Sequence, residues 1–421
     1  MSGSVLILGG GIAGVSSALE LARRGIKVHL VEKESTLGGR AASYCCKATD
    51  KCQKCYACLV AGRINELQSC SDIEIYTDSE ALDISPTITG FKTTIKRRPQ
   101  YISVDRCISC GLCAQVCPQQ CITLPNPRAL PQQYVIETAR CLNFLGRKCD
   151  VCVKKCPTSA ISFEAQSETT ELYADAVALA TGFIPYDPIQ KGTFGYGEFP
   201  NVISAIDLEQ MLQENGTGGL KLPSNDEPAR EVAFIQCVGS RYDQVEDDSH
   251  TNIYCSRVCC GYALRMANLI LDRAPETQIT VFFMDLQHFG KNFDDFVNKC
   301  SSLPNLSLVR SIPSGVVQHN GRLELQYEDM IDGGVKRKPF DTVVLSVGMR
   351  PNPANRRLAE MLNIELNRFD FFNASGIDHP VATASERVYL VGSCRGPKDI
   401  GECVNEAATV AAEIAMQLEK I

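Results

Sequence analysis

The sequence predicts an α/β fold of two dinucleotide-binding-type domains, the first interrupted by a cysteine-rich insertion. Three observations carry this. A strand, a glycine-rich turn and a helix open the chain at Ser4–Arg24; apolar strands ending on glycine recur at Ala176–Gly182 and Thr342–Gly348; and nine cysteines crowd residues 100–165. A chain of 421 residues has room for two to four domains at roughly 100–200 residues each.

The opening strand, Ser4–Leu8, runs into Gly9-Gly10-Gly11-Ile12-Ala13-Gly14 and a helix to about Arg24, and the next strand is Lys27–Glu32. This is a βαβ unit with a G-x-G-x-x-G turn (Gly9, Gly11, Gly14) and an acid, Glu32, about 20 residues on. Glycines let the backbone approach a pyrophosphate at the helix N-terminus, and the acid accepts from the adenosine ribose. Gly9, Gly11, Ile12, Ala13 and Gly14 are therefore candidate contacts, with Glu32 and Lys33 on the ribose side. The following Gly38-Gly39-Arg40 resembles the second flavin-phosphate contact of flavoproteins with two dinucleotide domains, which points to FAD.

Segments like Ala176–Gly182 and Thr342–Gly348 mark chain crossings between domains in flavoprotein disulfide reductases. That likeness divides the chain into an FAD-binding part at 1–99, an inserted module at 100–165, a continuation at 166–185, a second Rossmann-like domain at 186–339 and a returning part at 340–421. Thr181 and Gly182 then face the cofactor from the continuation. Gly392, Ser393, Lys398, Asp399 and Ile400 do so from the returning part, ahead of a helix running to about Leu418. Gly392-Ser393 stands where relatives often have Gly-Asp, so backbone N–H groups or Ser393 must replace the acid. Lys398 and Asp399 either tune the flavin or form a solvated salt bridge.

Cys107-x2-Cys110-x2-Cys113-x3-Cys117-Pro118 is the bacterial ferredoxin run, whose fourth cysteine ligates the partner cluster. Cys141-x7-Cys149-x2-Cys152-x3-Cys156-Pro157 repeats it with a longer first gap. A bacterial 2[4Fe–4S] module follows, with Cys107, Cys110, Cys113 and Cys156 on one cluster and Cys117, Cys141, Cys149 and Cys152 on the other. Structural zinc also uses C-x2-C pairs, but paired C-x2-C-x3-C-P runs favour cubanes.

In the second Rossmann-like domain the strand Val232–Ile235 ends at Gln236-Cys237 rather than a glycine loop, and Cys255, Cys259 and Cys260 open the next helix. Four thiols there suit a further cluster in the nucleotide's place; a redox disulfide or buried thiols remain open on spacing alone. Cys52-x2-Cys55-x2-Cys58, with Cys46 or Cys45, fits a fourth 4Fe–4S cluster or a zinc knuckle, and Cys46 is taken as the fourth ligand. Cys70, Cys121, Cys300, Cys394 and Cys403 read as buried small apolar residues.

With these residues in view the sequence resembles the A subunit of heterodisulfide reductase. The matching segments are Gly9–Gly14, Leu37–Arg40, Arg98–Cys117, Gln236–Arg241, Tyr254–Cys260, Phe283–Asp285 with Phe289–Lys291, Leu345–Pro351 and Gly396–Ile400. Flavoprotein subunits of quinone-interacting oxidoreductase complexes and of ATP-independent benzoyl-CoA reductase complexes are similar too. The resemblance implies a thioredoxin-reductase-like core with FAD, and a cluster on Cys237, Cys255, Cys259 and Cys260. It also implies electron transfer between flavin and clusters with electron bifurcation, partner subunits of the B and C type or similar, and a homodimer within the larger assembly. Relative to the family's long form the sequence has no domain ahead of Ser4 and no ferredoxin module after the last helix, and it adds the Cys52/Cys55/Cys58 run.

Composition excludes little and agrees with the rest. A net charge of −7 without basic stripes argues against nucleic acid, and no apolar window argues for membrane insertion. No signal peptide precedes Ser4, and 22 cysteines at short spacings suit metal ligation in a reducing, cytoplasmic, anaerobic setting. No Ser-His-Asp arrangement suggests a hydrolase. The competing class is a self-contained NAD(P)H-dependent iron–sulfur flavoprotein, against which the missing glycine loop at Gln236–Ser240 stands.

Overall fold

The computed structural model describes residues 3–125, 130–216, 218–241, 253–287, 290–331 and 333–419. Its first sheet is parallel throughout, in the order Val388–Leu390, Ala176–Leu179, Ser4–Leu8, Lys27–Val31, Ile73–Tyr76. The apolar run of Ser4–Leu8 lies mid-sheet with both faces covered, as buried parallel strands require. Side chains alternate across it. Val5 and Ile7 pack with the helices Ile12–Ala22 and Ile400–Leu418, while Leu6 and Leu8 join Ile84, Phe91, Ile95 and Leu172 of an antiparallel three-stranded sheet.

The cysteine-rich insertion leaves that antiparallel sheet at the end of Phe91–Arg97 and returns at the start of Glu168–Ala174. Arg97 and Glu168 are register partners, so the module's two ends emerge side by side. Inside it, Ile122–Thr123 pairs with Val135–Ile136 and Ile102 bridges Ile161, around a small core that includes Cys113, Cys121, Cys141 and Cys152.

The second sheet is also parallel, in the order Val202–Ser204, Thr342–Val347, Glu231–Val238, Gln278–Phe283, Leu306–Arg310. Here the structure corrects the expected division. Thr342–Val347, assigned from sequence to the returning part of the first domain, pairs on both sides within the second sheet. A fully buried apolar strand reads the same in either sheet, so composition cannot place it. The crossing lies just after it, where Met349–Pro351 pairs antiparallel with Phe183–Pro185 as a two-stranded ribbon between the domains. Among the described residues no helix is long and apolar enough to cross a membrane.

Candidate functional site: a dinucleotide cradle and four groups of cysteines

The helix Ile12–Ala22 starts at Gly11, and an added Cβ at Gly11 would meet nothing within 4 Å. The other glycines of the turn are different. A Cβ at Gly14 would lie 1.9 Å from the Gly9 carbonyl oxygen, and one at Gly9 (φ +115°) would lie 2.3 Å from that of Ala180. Gly9 and Gly14 are thus glycine for packing, whereas Gly11 fronts open space at the first turn of the helix, whose leading N–H groups have no partner within the helix, and a pyrophosphate suits such a place. Gly38 closes on the same turn, its N–H donating to the Gly10 carbonyl at 2.7 Å. Gly39 (φ +53°) lies so near that its Cβ would be 3.0 Å from the Gly11 Cα. Arg40 donates from Nε to the Phe183 carbonyl at 3.1 Å, which ties this turn to the interdomain ribbon.

Glu32 is buried and already holds two backbone donors, Gly10 N–H at 2.6 Å and Glu34 N–H at 2.8 Å. Burial raises its pKa despite those two bonds. It therefore shapes the glycine turn. Lys33 is exposed beside Glu34, 3.7 Å away.

The returning part reaches the same place. A Cβ on Gly392 (φ +75°) would lie 2.6 Å from the Ala13 Cβ, so only glycine fits this contact between Gly392 and the glycine helix. The Gly392 N–H donates to Glu406 at 2.6 Å, and Lys398 spans the Gly392 carbonyl (3.1 Å) and Glu406 (3.0 Å). Lys398 is thus neither solvated nor aimed outward; it braces the turn. Asp399 caps the last helix in a reciprocal capping box with Glu402, Ile400 packs on the first core, and Ser393 is buried. Thr181 is fixed by Asn355 (2.8 Å from Oγ1) and by Asn352, whose Nδ2 donates to its carbonyl at 2.9 Å. Gly182 (φ +68°) fronts open space. Glu406, Asn352 and Asn355 carry no local mark in the sequence, since their partners lie elsewhere in the chain.

Cys107, Cys110, Cys113 and Cys156 line one small hollow that opens to solvent, together with Tyr134 and Pro157. The four cysteines assigned to one cubane thus surround one space. Across the module, Cys152 is pushed up to about 11 by burial and then by Cys141 and Cys117, which places these three together. Cys149 anchors its loop through its carbonyl, which accepts from Asn143 at 3.3 Å. The fourth cysteine of each run behaves alike: burial opposes ionisation of Cys117 and Cys156, but backbone N–H groups just beyond outweigh it and lower both pKa values. Such N–H donors suit a bound thiolate.

Cys237, with φ +62°, sits at the end of Glu231–Val238, and Cys259 and Cys260 begin the helix Cys259–Arg273. Burial raises Cys237, Cys259 and Cys260, and the neighbouring thiols push each further up. Arg241, paired with Asp285, works against this at Cys237. The loop is pinned by Ser256, which bonds Ser240 Oγ (3.0 Å) and accepts from Met349 N–H (2.8 Å). Tyr186 lies over Gly239, where an added Cβ would be 2.1 Å from its ring. Phe289 lies outside the described residues.

The run at Cys52, Cys55 and Cys58 repeats the backbone of the ferredoxin loop. Lys54 (φ +51°) and Tyr56 (φ +60°) flank Cys55 as Ser109 (φ +53°) and Gly111 (φ +77°) flank Cys110, and in both a helix starts one residue before the third cysteine. Cys52 accepts from Lys54 N–H at 3.4 Å, and Cys46 is exposed nearby in sequence, while Cys45 is buried in the second domain's core. Among the described residues no three His, Cys, Asp or Glu side chains converge as for a single metal ion. Of the remaining cysteines, Cys300, Cys394 and Cys403 are buried as expected and Cys70 is half-buried. Cys121 is buried as expected too, and its Sγ also lies 3.5 Å from that of Cys117.

Comparisons agree with this arrangement. A family model described as an NAD(P)-binding Rossmann-like domain matches residues 7–55, and one described as a 4Fe-4S dicluster domain matches 106–160. Thioredoxin reductases of T. acidophilum (TM-score 0.53, 14% identity, 99% of this chain and 98% of that one) and Lactococcus lactis (0.54, 13%, all of both) share the fold. The chain is 34% identical to an iron-sulfur A subunit of the CoB–CoM heterodisulfide reductase of Methanopyrus kandleri, over 98% of its own length and 64% of the relative's. It is 32% identical to the A subunit of the H(2):CoB-CoM heterodisulfide,ferredoxin reductase of Methanothermobacter thermautotrophicus, over 99% and 64%. With the A subunit of the ferredoxin/F(420)H(2)-dependent CoB-CoM heterodisulfide reductase of Methanosarcina acetivorans it shares 34%, over 99% and 53%. The chain therefore spans between about half and two thirds of these relatives. A thioredoxin-reductase-like pair of domains, a dicluster insertion and likeness over almost every residue of this chain make it similar to the A subunits of heterodisulfide reductases.

Proposed function

We propose that this chain is the FAD- and [4Fe–4S]-carrying electron-transfer subunit of a heterodisulfide-reductase-like redox complex, with electrons bifurcating at the flavin. The observation that carries the reading is the juxtaposition of the Gly11 cradle and the Gly392 turn with a second domain whose nucleotide turn is made of Cys237 and its three partner thiols. FAD supplies two-electron chemistry and clusters supply single electrons. The chain's own residues do the rest. Gly11–Gly14 and Gly38–Arg40 hold the pyrophosphate, with Glu32 fixing the turn. Glu406 and Lys398 hold Gly392 against the glycine helix, and Thr181 and Gly182 close the cradle from the neighbouring strand. The domain that binds FAD comprises residues 1–99 and 166–185 with the chain after Gly348, around a module at about 100–165.

Three clusters sit on Cys107/Cys110/Cys113/Cys156, Cys117/Cys141/Cys149/Cys152 and Cys237/Cys255/Cys259/Cys260, and a fourth on Cys46/Cys52/Cys55/Cys58. Partners are subunits of the B and C type or similar carriers, with the chain dimeric inside a cytoplasmic assembly. The test is anaerobic purification with flavin and iron quantitation, identification of co-purifying subunits, and EPR during reduction. Cluster signals that rise together with flavin bleaching support the proposal; bleaching by NADH in the isolated chain would transfer support to a self-contained NAD(P)H-dependent enzyme.

A further inference from the structure

The two halves of the inserted module repeat each other beyond their cysteines. Cys117-Pro118-Gln119-Gln120-Cys121-Ile122 answers Cys156-Pro157-Thr158-Ser159-Ala160-Ile161. The correspondence holds in space. Gln120 (φ +47°) matches Ser159 (φ +51°), and the Cys121 carbonyl accepts from Glu137 N–H at 2.8 Å as the Ala160 carbonyl accepts from Ser103 N–H at 2.8 Å. The Ala160 N–H donates to Cys156 Sγ at 3.3 Å. Where one half presents a methyl group to the sulfur of its fourth cysteine, the other presents a thiol. Cys121 is 1% exposed and its Sγ lies 3.5 Å from Cys117 Sγ.

We propose that Cys121 is a positioning residue of the second cluster, giving an S–H···S hydrogen bond to the Cys117 sulfur and so raising that cluster's reduction potential above what the repeat's alanine would give. The inference rests on the assignment of Cys117 to that cluster. Two sulfurs in contact at 3.5 Å do not take separate corners of one cubane, and Cys117 holds the fourth position of the ferredoxin run, so the fifth thiol, Cys121, is a neighbour rather than a ligand. A donor aimed at a ligand sulfur offsets part of the charge added on reduction, and hydrogen bonds to sulfur are among the levers that set cluster potentials. The near-twofold repeat thus yields two clusters of unequal potential from nearly equal loops.

The repeat also supplies the control, because Ala160 shows that alanine fits this place. The full chain, purified anaerobically, is compared with Cys121→Ala and Cys121→Ser by iron and sulfide analysis and by EPR-monitored redox titration. The expected result is unchanged iron, a downward shift of one module cluster in Cys121→Ala with the other unmoved, and recovery toward the parent value in Cys121→Ser. Unchanged potentials would overturn the proposal, and so would iron falling by one cluster in Cys121→Ala, which would make Cys121 a ligand. A parent chain holding one module cluster alone would instead sink the assignment beneath it.

Discussion

Lys47 and Glu209 form an ion pair sealed from water, their side chains 1% and 2% exposed, between the segment after the Gly-Gly-Arg turn and the helix Ala205–Glu214. The Lys47 ammonium also lies 5.4 Å from the Tyr44 ring centroid and 5.1 Å from that of Tyr262. Removing one partner leaves the other charge stranded, which costs about 3–5 kcal/mol. Lys47→Met should destabilise the chain by that order in chemical denaturation, and Lys47→Met with Glu209→Leu should recover most of it. A single variant as stable as the parent would show that water reaches this pair.

The glycine turn separates binding from folding. Gly11→Ala adds a methyl group into open space, so the fold should persist while the flavin-to-protein ratio drops. Gly14→Ala drives a methyl group to 1.9 Å from the Gly9 carbonyl oxygen and should destabilise the chain by about 1–3 kcal/mol or more. Flavin fluorescence and circular dichroism on the two variants decide this; equal effects on both readouts would contradict the distinction.

Glu32 gives a pH signature. Its folded-state pKa is raised above 4.5 by burial. A carboxyl raised on folding contributes stability in its protonated form, complete below 4.5 and lost as pH climbs through the folded value. The parent's melting temperature should therefore fall more steeply from pH 4.5 upward than that of Glu32→Gln. Parallel profiles would mean that Glu32 keeps an ordinary carboxylate's affinity for protons.

The proposed cluster assignment divides the cysteines into ligands and packing. Cys107→Ser should remove one cluster's iron and one EPR signal, because Cys107 lines the hollow with three other thiols. Cys300→Ala should leave the iron intact and cost stability alone, since Cys300 is fully buried and accepts from Asn268 at 3.1 Å. Iron lost from Cys300→Ala would upset this sorting.

Arg241 holds a cation beside Cys237 through its pairing with Asp285. Arg241→Met withdraws that positive charge and should lower the potential of the Cys237 cluster while sparing those of the inserted module. Redox titration followed by EPR reads the shift, and a potential that stays put would assign Arg241 to structure alone.

Much of this is legible in the chain because its signals are local. The ferredoxin runs and the glycine turn each fix their chemistry within a dozen or so residues. What the sequence does not disclose depends on partners far along the chain. Glu406 reads as one more acid on a surface helix until Gly392 and Lys398 are found against it. Cys121 reads as a small apolar residue until the fold sets it on Cys117. Thr342–Val347 reads as a strand of the first sheet and belongs to the second, because an apolar strand does not announce its neighbours.

The pairing of Arg97 with Glu168 sets the two stems of the insertion next to each other on one edge. The host sheet has already closed the loop that would otherwise have to be closed entropically, whatever is mounted on it. The dicluster unit is in that sense a cartridge. Changes inside it need not reach the parallel sheet of the host, because the chain leaves and rejoins at one paired position.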